Sequence, residues 1–415
     1  MQRTHNTRLY PNNRQSTYFA RCCGVARFAY NWGLARWKEQ YKAHQADPDN
    51  SPQPNQYALR RELNAVKREK FPWMLEVSKY APQQALINLG TAYTNYFNKR
   101  ADEPTKKHKG KHDSFYIGSD KIAVDGDMVK IPGLGRFMGR RQKLGWVRMA
   151  EPLRYGNVKI ICATVSRVAD DWRISITCEV PDEKPIEIAD RKDAVGIDPG
   201  TGEYVTSDGE FFQVPRAYRK SMRRLRRAQQ SLARKKKGSR NRWKQKRRIA
   251  RIHQRIANVR GDWLHKLTTD ITRRYKTIVL EDLNVKGMEK NHHLALSITD
   301  AAFGEFRRQV EYKSKINGCN LVFADRWYPS SKTCSNCGKV KAKLSLSERV
   351  FKCDGCGFVC HRDLNAAINL RNLAPSSGVS ACGEFSANTR RQNPSGKQPL
   401  RSRKKTPSLP MSRFG

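Results

Sequence analysis

Hydrophobic positions change their spacing several times along this chain. Between about residue 14 and 100, Phe28, Trp32 and Ala35, then Leu86, Leu89, Tyr93, Tyr96 and Phe97, recur every three or four residues. That period predicts amphipathic helices, interrupted by the loop DPDNSPQPN at 47–55. A short strand over Thr7–Tyr10 is expected before the Pro11-Asn12-Asn13 turn. The aromatic stripe Phe28, Tyr30, Trp32, Trp37 and Tyr41 suits a core better than a base-stacking platform. From 114 to 187 the spacing becomes that of short strands with Gly/Pro turns, as in MVKIPGLGRF and WRISITCEV, and predicts a small β-barrel.

A further pattern begins at Asp193. AVGIDPG reads as an apolar strand ending in an acid and a turn, and YVTSDGEFFQV as a hairpin around Ser207-Asp208-Gly209. Apolar residues at 249, 252, 256, 259, 263, 267 and 271 then hold one helical stripe, and KKKGSRN at 235–241 divides this region into two helices. YKTIVLEDLNV is a buried strand ending in Glu281-Asp282, 298–317 is helical, CNLVFADRW is a strand, and DLNAAINLRNL is a closing helix. Residues 374–415, rich in Ser, Pro, Asn, Arg and Lys, are expected to be a disordered basic tail.

Charge narrows the function. The 415 residues carry 81 Lys and Arg against 38 Asp and Glu, a formal net charge of +43. Such an excess calls for a polyanionic partner, nucleic acid first. Between Phe211 and Gly261 there are twenty Lys or Arg and no acid. The apolar stripe makes this a packed helical pair with a cationic outer face able to track phosphates, pairing with another chain being the alternative. Arg223, Arg224, Arg227, Arg247 and Arg251 are the candidate phosphate contacts. No run of ~18 apolar residues could span a bilayer, and the N-terminal segment lacks the apolar core of a signal peptide, so no membrane role and a cytoplasmic location are expected.

Eleven cysteines include two Cys-x-x-Cys pairs, Cys334/Cys337 and Cys353/Cys356, with fifteen residues between them. Gly338 and Gly357 follow each pair, where tight turns aim amides at sulfur. This spacing predicts one structural Zn²⁺ held by four thiolates. Fe–S binding is a second possibility, and Cys360 and His361 lie close enough in sequence to compete as ligands. Cys22, Cys23, Cys162, Cys178, Cys319 and Cys382 lack such spacing.

Three acids sit at element ends: Asp198 after a strand, Glu281 after another, Asp363 opening the last helix. Their order along strand, hairpin, helices, strand, helix, strand and helix describes an RNase H-like (RuvC) α/β core in a multidomain α+β chain. In that topology the acids converge on one sheet edge. Three carboxylates can hold two divalent cations, Mg²⁺ or Mn²⁺, roughly 4 Å apart for hydrolysis of a phosphodiester. Asp282, Asp300 and Asp325 read as local caps or surface charges.

Further segments make the sequence resemble a known family: RLYPNNRQ, ARFAYNWGLARW, GIDPG, LEDLNVKGM, LSITDAAFGEFRRQVEYK, WYPSSKTCSNCG and HRDLNAAINL. Together they resemble TnpB, the transposon-associated RNA-guided nucleases related to type V CRISPR effectors. The resemblance implies a wedge-like β-barrel from 1–13 and 114–187, a helical recognition lobe at 14–113, a RuvC-like nuclease at 193–328 and 360–373 with basic helices 216–274, and a zinc ribbon at 329–359. It implies a guide RNA and a double-stranded DNA target as partners, in a bacterial or archaeal cytoplasm, nucleoid-associated when bound to DNA. Lys79, Tyr80 and Gln83 match the region that reads the target-adjacent motif. The family's last motif often reads Asp-Arg-Asp, whereas His361 stands first here. Asp363 is then the expected metal ligand, with Arg362 near substrate phosphate. A CRISPR effector, a non-cleaving guide-dependent regulator and a guide-free junction resolvase remain as rivals.

Overall fold

The computed structural model describes residues 1–374 apart from 133–135, 138–139, 142–143, 157, 182–187, 189 and 346. Of the tail expected over 374–415, residues 375–415, with Cys382, lie outside the described residues. No described helix is long and apolar enough to cross a membrane.

The N-terminal part joins helices to an antiparallel sheet. Strand β1 (Gln2–Tyr10) is longer than its sequence predicts, because most of its residues are polar. Its partner supplies the missing drive. Thr4 pairs with Thr177 and Asn6 donates to Ser175 at 2.7 Å across the ladder, and such cross-strand pairs stabilise a sheet by a few tenths of a kcal/mol or more, up to ~1 kcal/mol each. Helix α1 (Asn13–Ala46) starts at Asn12, which accepts from the Gln15 amide while Gln15 returns the bond to the Asn12 amide, each at 2.9 Å. This reciprocal cap satisfies donors that the first turn would leave open. Helices α2 (Gln56–Lys70) and α3 (Tyr80–Phe97) pack on α1, with Trp37 stacked on Tyr93 at 4.4 Å. The aromatic stripe thus belongs to the core: Tyr30 and Trp37 are buried, and Phe28, Trp32 and Tyr41 pack against them.

Strands β2 (Ser114–Gly118), β3 (Ala123–Asp125), β4 (Met128–Lys130), β5 (Trp146–Met149), β6 (Lys159–Val168) and β7 (Asp171–Glu179) complete a seven-stranded sheet in the order β2-β6-β7-β1-β5-β4-β3. The first strand of the chain therefore lies in the middle of a sheet otherwise drawn from residues 114–179.

The second part is a five-stranded sheet. Strands β8 (Lys192–Pro199), β9 (Glu203–Thr206), β10 (Phe211–Gln213), β11 (Tyr275–Glu281) and β12 (Asn320–Ala324) are ordered β10-β9-β8-β11-β12. β8, β11 and β12 run parallel, and β9 and β10 form the expected hairpin, with Gly209 at φ +82° in its turn. Between β10 and β11 come α4 (Ala217–Ala233) and α5 (Arg240–Arg274). Ile252 and Ile256 of α5 pack on Leu225 and Ala228 of α4, whereas Leu264, Leu267 and Ile271 pack on the sheet. Val259, between the two contacts, is exposed. One stripe thus serves two neighbours.

After β11, α6 (Val285–Glu289) and α7 (Ala295–Ala301) lead to α8 (Phe303–Asn317). The helix expected over 298–317 is broken at Ala302, whose φ is +57°. Two small antiparallel strands, β13 (Val350–Lys352) and β14 (Val359–His361), precede α9 (Arg362–Arg371).

Alternation along the strands decides where the acids go. Val195 and Ile197 of β8, and Ile278 and Leu280 of β11, share one face with α5 and α8. Gly196 and Val279 face the other way, onto α9. There the helix comes so close that a Cβ on Gly196 would sit 2.1 Å from the Ala367 carbonyl oxygen and 2.4 Å from the Arg371 nitrogen. Backbone atoms cannot step aside as side chains do. Gly196→Ala is therefore expected to destabilise the protein by about 3 kcal/mol, at or beyond the top of the usual overpacking range, in a urea unfolding experiment. An unchanged midpoint would mean that α9 does not seat on β8 as described.

Candidate active site and thiol cluster

Side chains two residues apart on a strand share a face. Asp198 therefore follows Gly196 onto the α9 face, and Glu281 follows Val279. β8 and β11 are neighbours with Ile197 opposite Leu280, which sets Asp198 and Glu281 side by side at the carboxyl ends of two parallel strands. Asp363, buried, lies in the first turn of α9 on that same face. The acids named from the sequence thus meet at one edge of the sheet.

Their proximity has an electrostatic signature. Burial, and then the charges of Glu281 and Asp363, push the Asp198 carboxyl well above its ordinary range, while Arg362 pulls the other way. Carboxylates crowded in this way repel until a proton or a cation intervenes. An all-oxygen donor set at the end of parallel strands fits a hard divalent cation.

Several neighbours fix these groups. The Ser330 hydroxyl donates to Glu281 Oε1. Arg362 holds Asp363 at 3.0 Å and also donates to the Glu348 carbonyl at 3.1 Å, and Arg349 stands 3.6 Å from the other Asp363 oxygen. Arg362, expected near substrate phosphate, is thus engaged here with the acid beside it and with the segment before β13. Sequence reading missed Glu203 and His361 as members of this edge. One potential ligand atom from each of Glu203, His361 and Asp363 lies within 4.8 Å of the others, the tightest such grouping at this edge among the described residues.

Asp282, Asp300 and Asp325 are each held by other partners, and of the three only Asp325 by a neighbour in sequence, so Asp300 is neither a local cap nor a surface charge. Asp282 pairs with Arg307 and Arg326, each at 2.6 Å. Asp300 is buried and accepts from the Tyr218 and Arg219 amides at the start of α4. Asp325 accepts from the Trp327 amide.

Cys334, Cys337, Cys353 and Cys356 come together, their sulfurs all within 4.8 Å. Cys334 to Cys356 is 3.7 Å and Cys337 to Cys353 is 3.6 Å. Sulfurs bonded tetrahedrally to zinc at about 2.3 Å stand roughly 3.8 Å apart, so the separations match the edges of such a site. Gly338 and Gly357 take φ of +75° and +73°, letting each knuckle turn back so that its amide reaches the carbonyl of the first cysteine. The Phe358 amide, then the Asn336 side chain, lower the Cys356 thiol to about 6, and amides of Cys356 and Gly355 lower Cys353, whereas Cys337, although the Lys339 amide pulls it down, is pushed up to about 12 by its bonds with the Cys356 and Cys353 sulfurs. Thiolates are the metal-binding form. Cys360 stands outside this group.

The thiol cluster is stitched to the acidic helix. Asn365 and Asn369, both buried and one turn apart on α9, face the loop that leads into the first knuckle. Asn365 donates to the Thr333 carbonyl at 2.6 Å and accepts from the Ser335 amide at 2.9 Å. Asn369 donates to the Ser330 carbonyl at 2.8 Å. The same loop therefore touches the cysteines, α9 and, through Ser330, Glu281.

The remaining candidates fall into three groups. Arg223, Arg224 and Arg227 are exposed on α4, and Arg224 lines an open groove against α5 with Lys220, Lys244, Arg248 and Arg255. Arg247 and Arg251 both donate to Asp170, at the β6–β7 turn, and Arg251 also lines that groove. Lys79, Tyr80 and Gln83 lie at the start of α3, far along the chain from the acids, and Tyr80 donates to Asp120.

The chain matches the "Probable transposase" model of the IS605 OrfB group over residues 175–292, a Cas12f1-like TNB domain over 303–370 and, over 1–46, a "Helix-turn-helix domain" of the same OrfB group. In this chain 1–46 is one strand followed by one continuous helix. A Streptomyces pristinaespiralis protein named "Putative RNA-guided DNA endonuclease" is 37% identical over 92% of each chain. An Escherichia coli K12 protein, "Putative RNA-guided DNA endonuclease InsQ", is 33% identical over 91% of this chain and 93% of its own. Among solved structures, Cas12f1 in complex with sgRNA and target DNA superposes with a TM-score of 0.54 at 14% identity, covering 90% of this chain and 99% of that one. That likeness is one of fold.

Proposed function

The chain belongs to the transposon-associated TnpB family, and from that premise we propose that it is an RNA-guided DNA endonuclease acting by metal-assisted hydrolysis of phosphodiester bonds. The observation that carries the reading is the shared face: Asp198, Glu281 and Asp363, from distant parts of the chain, meet where α9 crosses two parallel strands. The 193–328 and 360–373 segments are read as a RuvC-like nuclease, 329–359 as a zinc ribbon, 14–113 as a recognition lobe, and 1–13 with 114–187 as a wedge-like barrel.

Asp198, Glu281 and Asp363 would hold Mg²⁺ or Mn²⁺, and Cys334, Cys337, Cys353 and Cys356 would hold Zn²⁺. Held by these three carboxylates, divalent ions would lower the pKa of a water, so that on losing a proton it becomes a nucleophilic hydroxide, and would offset charge on the leaving oxygen. Ser330 and Arg362 orient Glu281 and Asp363. Arg223, Arg224 and Arg227 offer cations to a phosphate backbone. Arg247 and Arg251 would join them after leaving Asp170. Lys79, Tyr80 and Gln83 are proposed to face the duplex motif beside the target. Target choice would come from guide pairing, while protein contacts read shape and the short motif.

The test is to sequence RNA that copurifies with the protein, then present a plasmid library with the matching target and randomised flanks in Mg²⁺. The expected result is a discrete RNA, cleavage that depends on it, and one enriched flank. Cleavage without RNA would favour a junction resolvase. Guided binding without cleavage would favour a regulator.

A further inference from the structure

The tightest grouping of potential ligands at the acidic edge contains a nitrogen. One ring nitrogen of His361, one oxygen of Glu203 and one of Asp363 lie within 4.8 Å of one another. Three separate elements supply them: Glu203 opens β9, His361 ends β14 and Asp363 stands in the first turn of α9. The imidazole is held in place. Its backbone pairs with Val350 in the small sheet, and Phe211 meets its ring edge-on at 5.2 Å. Its Nδ1 is buried and has no hydrogen-bond partner among the described residues, a state that costs about 1–3 kcal/mol.

Charge and donor type point the same way. Gln213 holds Glu203 through Oε2, which leaves Oε1 uncommitted. Arg362 and Arg349 each approach one oxygen of Asp363, but a carboxylate has about four acceptor directions. Asp198 and Glu281 lie at the same edge, where burial and crowding disfavour a further uncompensated carboxylate charge. Imidazole nitrogen suits transition metals, whereas Mg²⁺ prefers an all-oxygen shell.

We propose that His361, Glu203 and Asp363 form a mixed nitrogen–oxygen site for one divalent transition-metal ion, beside the all-oxygen positions of the acid triad. The site rests on the nuclease reading only in that Asp363 is shared. Its nitrogen ligand favours a transition metal over Mg²⁺ at this edge, and Mn²⁺ serves as the spectroscopic probe.

The experiment uses the full chain with its zinc and copurified RNA, dialysed free of other divalent ions and titrated with Mn²⁺. Pulsed electron paramagnetic resonance reads nitrogen hyperfine coupling to bound Mn²⁺. The wild type is expected to show the coupling. His361→Gln is expected to lose it and to bind Mn²⁺ about tenfold more weakly, with zinc content and melting temperature unchanged. Glu203→Gln should keep the coupling and weaken binding, which guards against a folding defect in the His361 variant. Absence of nitrogen coupling in the wild type, or its persistence in His361→Gln, would overturn the site. If the coupling is absent while Mg²⁺-dependent cleavage persists, the site falls and the nuclease reading stands. If the coupling depends on His361 in a protein that never cleaves, the site stands and the nuclease reading falls.

Discussion

Replacing Asp198, Glu281 or Asp363 by alanine should lower guided DNA cleavage by ~10³-fold or more, a barrier increase of about 4 kcal/mol, while RNA retention stays within about twofold. The asymmetry follows from placement. The three acids occupy the α9 face of the sheet, whereas the exposed arginines that would grip RNA stand on α4. Asp198→Asn adds a second readout. Burial, and then Glu281 and Asp363, disfavour a charge at Asp198, so without metal the amide variant should unfold at the same or a higher temperature than the wild type. Removing a repelling ligand costs activity and relieves the fold, the trade-off expected where an active site holds like charges together. A strand-cleavage assay on assembled ribonucleoprotein, beside a thermal melt in chelator, measures both. Wild-type cleavage by any of the three alanine variants removes that residue from the site.

Disrupting the thiol cluster should have the second largest effect. Structural zinc sites contribute roughly 10–16 kcal/mol of apparent binding free energy at neutral pH, more than the fold of a small knuckle can supply alone. Cys337→Ser should release zinc by elemental analysis, expose the 331–360 segment to protease and lower cleavage about a hundredfold. The loss reaches the acids through a defined route. The 330–335 loop is bonded to Asn365 and Asn369 of α9, and Ser330 bonds Glu281. With the cluster open, both the Asp363 helix and the Glu281 carboxylate lose a support. Full zinc content in Cys337→Ser would contradict the four-thiol assignment; cleavage unchanged in a zinc-free variant would break the link between cluster and acids.

Much of this was legible in the sequence because it depends on spacing. Two Cys-x-x-Cys pairs each followed by glycine specify a knuckle without reference to the rest of the chain. Asp198 and Glu281 end apolar runs, and strand alternation then fixes their face. The stripe from 249 to 271 declared a helix, although its division between α4 and the sheet depends on where two partners sit in space. What escaped was non-local. β1 is polar, and only its pairing with β7 and β5 reveals nine strand residues. Arg247 and Arg251 read as free cations until a turn some eighty positions earlier in the chain brings Asp170 to them. Glu203 begins a four-residue strand and carries no local signal. Asn365 and Asn369 left a trace, since amides one turn apart beside Ala366, Ala367 and Leu370 are polar groups on a buried face and require partners.

The most direct measurement is anomalous X-ray scattering at the manganese edge from crystals of the ribonucleoprotein soaked in Mn²⁺. Peaks among the carboxylates of Asp198, Glu281 and Asp363 are the expected result. A cleavage-competent protein with no metal at those three side chains would contradict it.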